Sequence, residues 1–230
     1  MRFFLFSMVM ISTILASNAA LVERVSGKTF EVKAQGAVGM SAVVMRTIGN
    51  YESIIASAQV VEAKEDTLTL KTTPFEALAQ GALPSYEAPV AEGDTVYLGW
   101  MYERVLLIAP TVSSYTQLSS DTQKLFTHSD MFAAFLSKIG HPSPLKEDFQ
   151  TFCRTYDLGL LQFAIAQKLY EVDCNTFAVV ASHDIEEAKG EKMLPFYSRV
   201  QSIDANWWGE GSARIKEFER YYLELLGVSQ

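Results

Sequence analysis

Apolar and polar positions alternate in short runs from Leu21 to about Trp100, and after that the spacing becomes largely helical. Thr29–Lys33, Ala42–Thr47, Ile54–Val61, Thr67–Lys71 and Thr95–Trp100 combine β-branched residues with partial alternation, the pattern of half-buried strands. Gly27, Gly36, Gly39, Gly49-Asn50, Glu65-Asp66 and Gly93-Asp94 punctuate these runs as turns. Five or six short strands at this spacing predict a small barrel or sandwich. Gly36 and Gly39 read as strand turns, because no helix N-terminus follows to complete an anion cradle. Between Pro74 and Pro89 the pattern is irregular, with one helical turn at Phe75–Ala79, and predicts a long loop over the barrel mouth.

The second half reads as a small α/β unit. Val105–Ile108 is a continuous apolar strand ended by Ala109-Pro110, and Ser113–Leu125 fits a helix with Tyr115, Leu118 and Leu125 on one face. Ser129 is placed to cap a helix carrying Met131, Phe132, Phe135, Leu136 and Ile139, which Gly140 closes. His141-Pro142 prevents continuation. Ser143 then caps a second helix with Pro144 at its first position, and Leu145, Phe149 and Phe152 form its apolar face with Cys153 at the edge. Leu158–Ala166 predicts a buried strand. Leu169, Val172 and Phe177–Val180 predict its partner after a tight turn near Gln167-Lys168. The outcome is a three-stranded sheet backed by helices.

From Asp184 the sequence reads as helical, interrupted at Pro195 and linked through Ala205–Gly211, which contains Trp207-Trp208. Ser212–Leu226 spaces Ile215, Phe218, Tyr222 and Leu225 as a narrow apolar seam, too short for a coiled coil. The seam either docks on the parent fold or meets a partner, with the tryptophans as anchors. The expected class is mixed α+β. Residues 1–20 form a leader, 21–102 a β-rich domain, 103–183 an α/β domain and 184–230 a helical tail.

The leader reads as a secretory signal peptide: Arg2, an apolar Phe3–Leu15 run of 13 residues, and small residues at Ser17-Asn18-Ala19. The run is shorter than the ~20 residues that span a bilayer. No later segment is long and apolar enough to span, so export to the periplasm or cell surface without a transmembrane span is expected. Removing Arg2 leaves 18 basic residues against 27 acidic ones and moves the formal charge from −8 to −9. Such a chain is a poor prospect for nucleic acid. Cys153 and Cys174 are an even pair in an exported chain. They read as a disulfide closing a loop of about 22 residues, worth on the order of 3 kcal/mol, or as two buried thiols.

Catalytic signals are sparse. Ser143-Pro144-Leu145-Lys146 fits S-x-x-K without its partner motifs. His128-Ser129-Asp130 holds triad residue types in the wrong arrangement. His183 and Glu186, on one expected helix face, are two ligands where a zinc site needs more. Glu147-Asp148 suit a first helical turn. No catalytic, metal or cofactor site is expected.

The run HSDMFAAFLSKIGHPSPLKEDFQTFC, followed by YDLGLL and LYEVDC, resembles the N-terminal domain of the plasminogen-binding proteins of the PgbA type from Helicobacter and related bacteria. Upstream, VGMSAVV, VYLGWMYERVLLIAP and SYTQL follow the same pattern, so the resemblance covers about Val22 to Val180. It implies an exported, surface-associated binding protein, with host plasminogen as its partner and no catalytic motif. The resembled proteins carry lysine-rich extensions, and plasminogen's kringle pockets read an ammonium a few ångströms from a carboxylate. This sequence closes on Gly227-Val228-Ser229-Gln230, so a terminal-lysine mode is not expected. An internal mode would use Lys216, taken to lie on the last helix beside Glu217 and Glu219. Partner-binding candidates are therefore Trp207, Trp208, Lys216, Phe218 and Tyr222. The alternatives are an envelope-assembly protein docking through its tail, and a minor hydrolase; the oligomeric state is left open.

Overall fold

The structure, a computed structural model, describes residues 19–73, 88–207 and 209–228. The expected leader lies almost wholly outside these residues, as do the expected loop with its Phe75–Ala79 turn and Trp208. The first half is a closed barrel in the order β1-β2-β5-β4-β3-β6. Its strands are β1 (Ala19–Ser26), β2 (Thr29–Lys33), β3 (Ser41–Ile48), β4 (Tyr51–Lys64), β5 (Thr67–Thr73) and β6 (Thr95–Leu98). All pairings are antiparallel. Alternation does what the sequence implies: Phe30, Val32, Val44, Val60, Leu68, Leu70 and Val96 point inward and are almost completely buried. β4 is long enough to pair with both β3 and β5, and register shifts beside Val44 and at Val60/Glu62 bend it around the barrel. β1 starts at Ala19, two residues before the expected domain boundary, and closes the barrel by pairing Ala19–Leu21 with β6.

The second sheet has five strands in the order β11-β10-β9-β7-β8, rather than the three expected. β7 (Arg104–Ile108) is parallel to both β8 (Leu125–Thr127) and β9 (Leu160–Ile165). β9, β10 (Lys168–Asp173) and β11 (Val179–Asp184) run antiparallel. β8 shortens the predicted Ser113–Leu125 helix to α1 (Val112–Leu118), and Leu125 becomes an exposed strand residue. Against one face of the sheet pack α2 (Ser129–Ile139), α3 (Lys146–Tyr156) and α4 (Phe218–Leu226). Phe132 is the hub there, with ring centroids 4.6 Å from Phe149, 4.9 Å from Phe152 and 5.5 Å from Phe196. On the other face, Tyr115 of α1 covers Leu107, Ala164 and Leu169.

The helix caps differ from the sequence expectation. His128, not Ser129, caps α2: its Nδ1 accepts from Asp130 N at 3.1 Å. α3 begins at Lys146, and Asp148 takes the capping role by accepting from Leu145 N at 2.7 Å. Ser143 instead donates to the carbonyl of Ala213. The Gly140 termination holds, with φ +74°.

The two sheets meet at Asp173, which is fully buried. Its Oδ2 accepts from Ser41 N (2.9 Å) and Ser41 Oγ (2.5 Å) on the barrel, and from the Tyr102 hydroxyl (2.7 Å) in the connection between the sheets. Its Oδ1 accepts from Asn175 N (2.9 Å) and Thr176 N (2.8 Å). Burial, then the charge of Asp173, push the Tyr102 hydroxyl well above its usual range, so it stays a donor. Two glycines permit the approach. A Cβ on Gly39 would meet the Ala178 side chain at 2.2 Å, and one on Gly159 would meet the Met101 backbone at 2.3 Å. Cys174, the next residue, is bonded to Cys153 of α3, with Cα atoms 5.9 Å apart.

Replacing Asp173 by Ala leaves these donors buried without an acceptor and should cost about 3–5 kcal/mol in urea unfolding. Tyr102→Phe removes one charge-assisted bond and should cost about 1.5–3 kcal/mol. A loss below 1 kcal/mol in both would contradict the clamp.

Candidate functional site

The tail is not helical from Asp184. Residues 185–207 and 209–217 form a strap without regular structure, and Phe218–Leu226 is the helix among the described residues of the tail. The strap is held by long-range hydrogen bonds that bracket α2. At the N-terminal end, Asp130 accepts from Ser198 Oγ (3.1 Å), Arg199 N (2.8 Å) and Arg199 Nε (2.6 Å). Desolvation would raise the Asp130 carboxyl, but the Arg199 and Ser198 hydrogen bonds hold it below its ordinary value. At the C-terminal end, Asn206 N and Nδ2 donate to the carbonyls of Gly140 (2.9 Å) and Ile139 (2.8 Å), capping the last turn of α2.

The next residue, Trp207, is 96% exposed. A large indole in water directly after a residue fixed by two hydrogen bonds is a candidate contact side chain. Lys216 is also exposed, but it precedes α4 instead of lying on it. Glu217 stands at the helix cap and Glu219 is paired with Lys192, so Glu217 is the acid left beside Lys216. Phe218 and Tyr222 face inward at 1% and 0% exposure, and the Tyr222 hydroxyl donates to Pro195 O at 3.0 Å. They belong to the core with Ile215, and the apolar seam is therefore a docking face. The exposed candidate surface among the described residues reduces to Trp207, Lys216 and Glu217.

The residues that carried catalytic signals are engaged elsewhere. Lys146 lies over the Phe177 ring at 5.6 Å, so S-x-x-K is not assembled with Ser143. His141 Nδ1 donates to Asp148 at 2.9 Å, beside the strap at Gly211. His183 is on β11, not a helix, and its Nε2 lies 3.7 Å from Glu171. Glu171 also accepts from Lys124 Nζ (2.7 Å) and Gln162 Nε2 (2.8 Å) across the sheet. The strap, α1, Pro142, Arg214 and Ile215 also enclose a groove of about 960 Å³, which no sequence motif marked.

A barrel joined to a five-stranded sheet, cross-linked by a disulfide and wrapped by a strap pinned to α2, defines the chain as a mixed α+β protein. A family described as Plasminogen-binding protein pgbA N-terminal matches residues 19–226, from the first strand of the barrel to the last helix, and the chain belongs to this family. No curated protein matches the chain.

Glu171 gives the fold a defined acid sensitivity. Desolvation raises its carboxyl, but the hydrogen bond and charge of Lys124, with Gln162 and His183, bring it below 4.5. The folded state thus binds this proton more weakly than the unfolded chain. The stabilisation is complete above pH 4.5 and is lost as pH falls through the lower folded value. Unfolding free energy measured from pH 6 to about 3 should fall less steeply in Glu171→Gln than in the native protein.

Proposed function

We propose that this chain is an exported, non-catalytic binding domain that captures plasminogen at the cell surface. The family match over residues 19–226 carries this reading. The Cys153–Cys174 disulfide supports an oxidising compartment. None of the described helices is long and apolar enough to cross a membrane.

The contact is assigned to the strap surface. Lys216 and Glu217 offer an exposed ammonium next to an exposed carboxylate, the pair of charges that a lysine-binding pocket reads, and Trp207 adds apolar area. An envelope-assembly role would use the same indole on a bacterial partner, and the strap's rigid attachment to α2 favours protein contact in either case.

The chain from Ala19 onward should bind immobilised plasminogen, and a lysine analogue should compete. Lys216→Ala should weaken binding by about tenfold or more, with Trp207→Ala adding to the loss. Binding that is neither competed nor reduced by Lys216→Ala would move the contact off this surface. Absence of binding would remove plasminogen as the partner.

A further inference from the structure

The groove of about 960 Å³ lies within the size range of small-ligand and peptide sites. Met193, Leu194, Phe196, Val200, Ile203, Val112, Pro142 and Ile215 supply its apolar lining. Three of these, Val112, Met193 and Leu194, are large apolar side chains left 53%, 37% and 44% exposed. Their meeting at one concavity distinguishes them from single apolar residues scattered over a surface.

Three cations line the same groove from two parts of the chain: Lys189, Lys192 and Arg214. Lys192 is held by Glu219, whereas Lys189 and Arg214 form no ion pair among the described residues. Glu191 is the one carboxylate in the lining. In a chain with formal charge −8, two uncommitted cations beside an apolar lining are complementary to an apolar ligand carrying negative charge.

The main chain narrows the ligand class. The N–H groups of Glu191, Lys192, Gln201 and Ser202, on the two stretches of strap that line the groove, donate no hydrogen bond among the described residues. Met193 N and Tyr197 N, by contrast, are anchored on Pro110 O (2.7 Å) and Ala109 O (2.8 Å), fixing the intervening segment to the end of β7. Main-chain donors left without an acceptor on both sides of this anchored segment suit an extended peptide, whose own carbonyls pair with them while its side chains enter the apolar lining. An acyl chain has no use for those donors.

We infer that this groove binds an extended, apolar, acidic peptide segment of a partner protein, with its carboxylates on Lys189 and Arg214. The groove is lined by residues other than Trp207 and Lys216, and this inference stands whether or not plasminogen is bound through those two.

The test uses the chain from Ala19 onward and a library of N-acetylated heptapeptides with leucine, valine or phenylalanine at odd positions and glutamate at even ones. A second library carries glutamine in place of glutamate, and dodecanoate is the acyl-chain probe. Binding is read by fluorescence anisotropy and by methyl NMR shifts of Val112, Met193, Leu194 and Ile203. The acidic library should shift these methyls and bind about tenfold more tightly than the glutamine library. The double variant Lys189→Ala/Arg214→Ala should abolish that preference while keeping its native spectrum, and Glu191→Gln should strengthen acidic binding. Equal binding of the two libraries, absence of binding by both, or dodecanoate producing the shifts in place of the peptides would each overturn the inference.

Discussion

A single buried carboxylate decides how the two halves of this molecule sit together. Asp173 has no access to water, and a bare carboxylate in that position would cost several kcal/mol. It is tolerated because six donors converge on its two oxygens, from the barrel, the connecting turn and its own loop. The surrounding features follow from this. Gly39 and Gly159 let the backbones come close enough for the donors to reach. The disulfide at Cys174 ties the loop holding the carboxylate to α3, so the acceptor is positioned by the covalent frame of the helical layer.

The strap is built by the same logic of satisfying polar groups at a distance. Each end of α2 exposes backbone groups or charge that the strap answers, through Ser198 and Arg199 at one end and Asn206 at the other. A segment without regular structure thereby acquires fixed geometry. That geometry holds Trp207 outward and leaves a groove between the strap and α1. Both candidate contact surfaces are thus consequences of how α2 is capped, and the docking of Phe218 and Tyr222 on the core closes the strap from its far end.

What could be read from the sequence was what depends on local periodicity. Alternation located the barrel strands, and β2 falls on the predicted residues Thr29–Lys33. The helix spacing around Phe132 and Phe149 identified buried faces. β8 escaped because three residues carry no period. Ser129 and Ser143 looked like caps because capping is inferred from residue type, while His128 and Asp148 hold the geometry that does it. The strap was misread as helix because its conformation is set by partners about 67 to 88 residues away in sequence. Spacing alone left open whether Phe218 and Tyr222 faced a partner or the core. Asp173, inside the run YEVDC, gave no local sign of its role, since Ser41 lies 132 residues earlier.

The central claim is that barrel and sheet form one cooperative unit through Asp173. Native-state hydrogen exchange at the amides of Ser41, Asn175 and Thr176 addresses it most directly. If the carboxylate joins the halves, these amides exchange only by global unfolding, with the same free energy as Val96 in the barrel core and Leu161 in the sheet. Exchange through low-energy local opening, while Val96 and Leu161 remain protected at different levels, would show two independent units in loose contact and contradict the account.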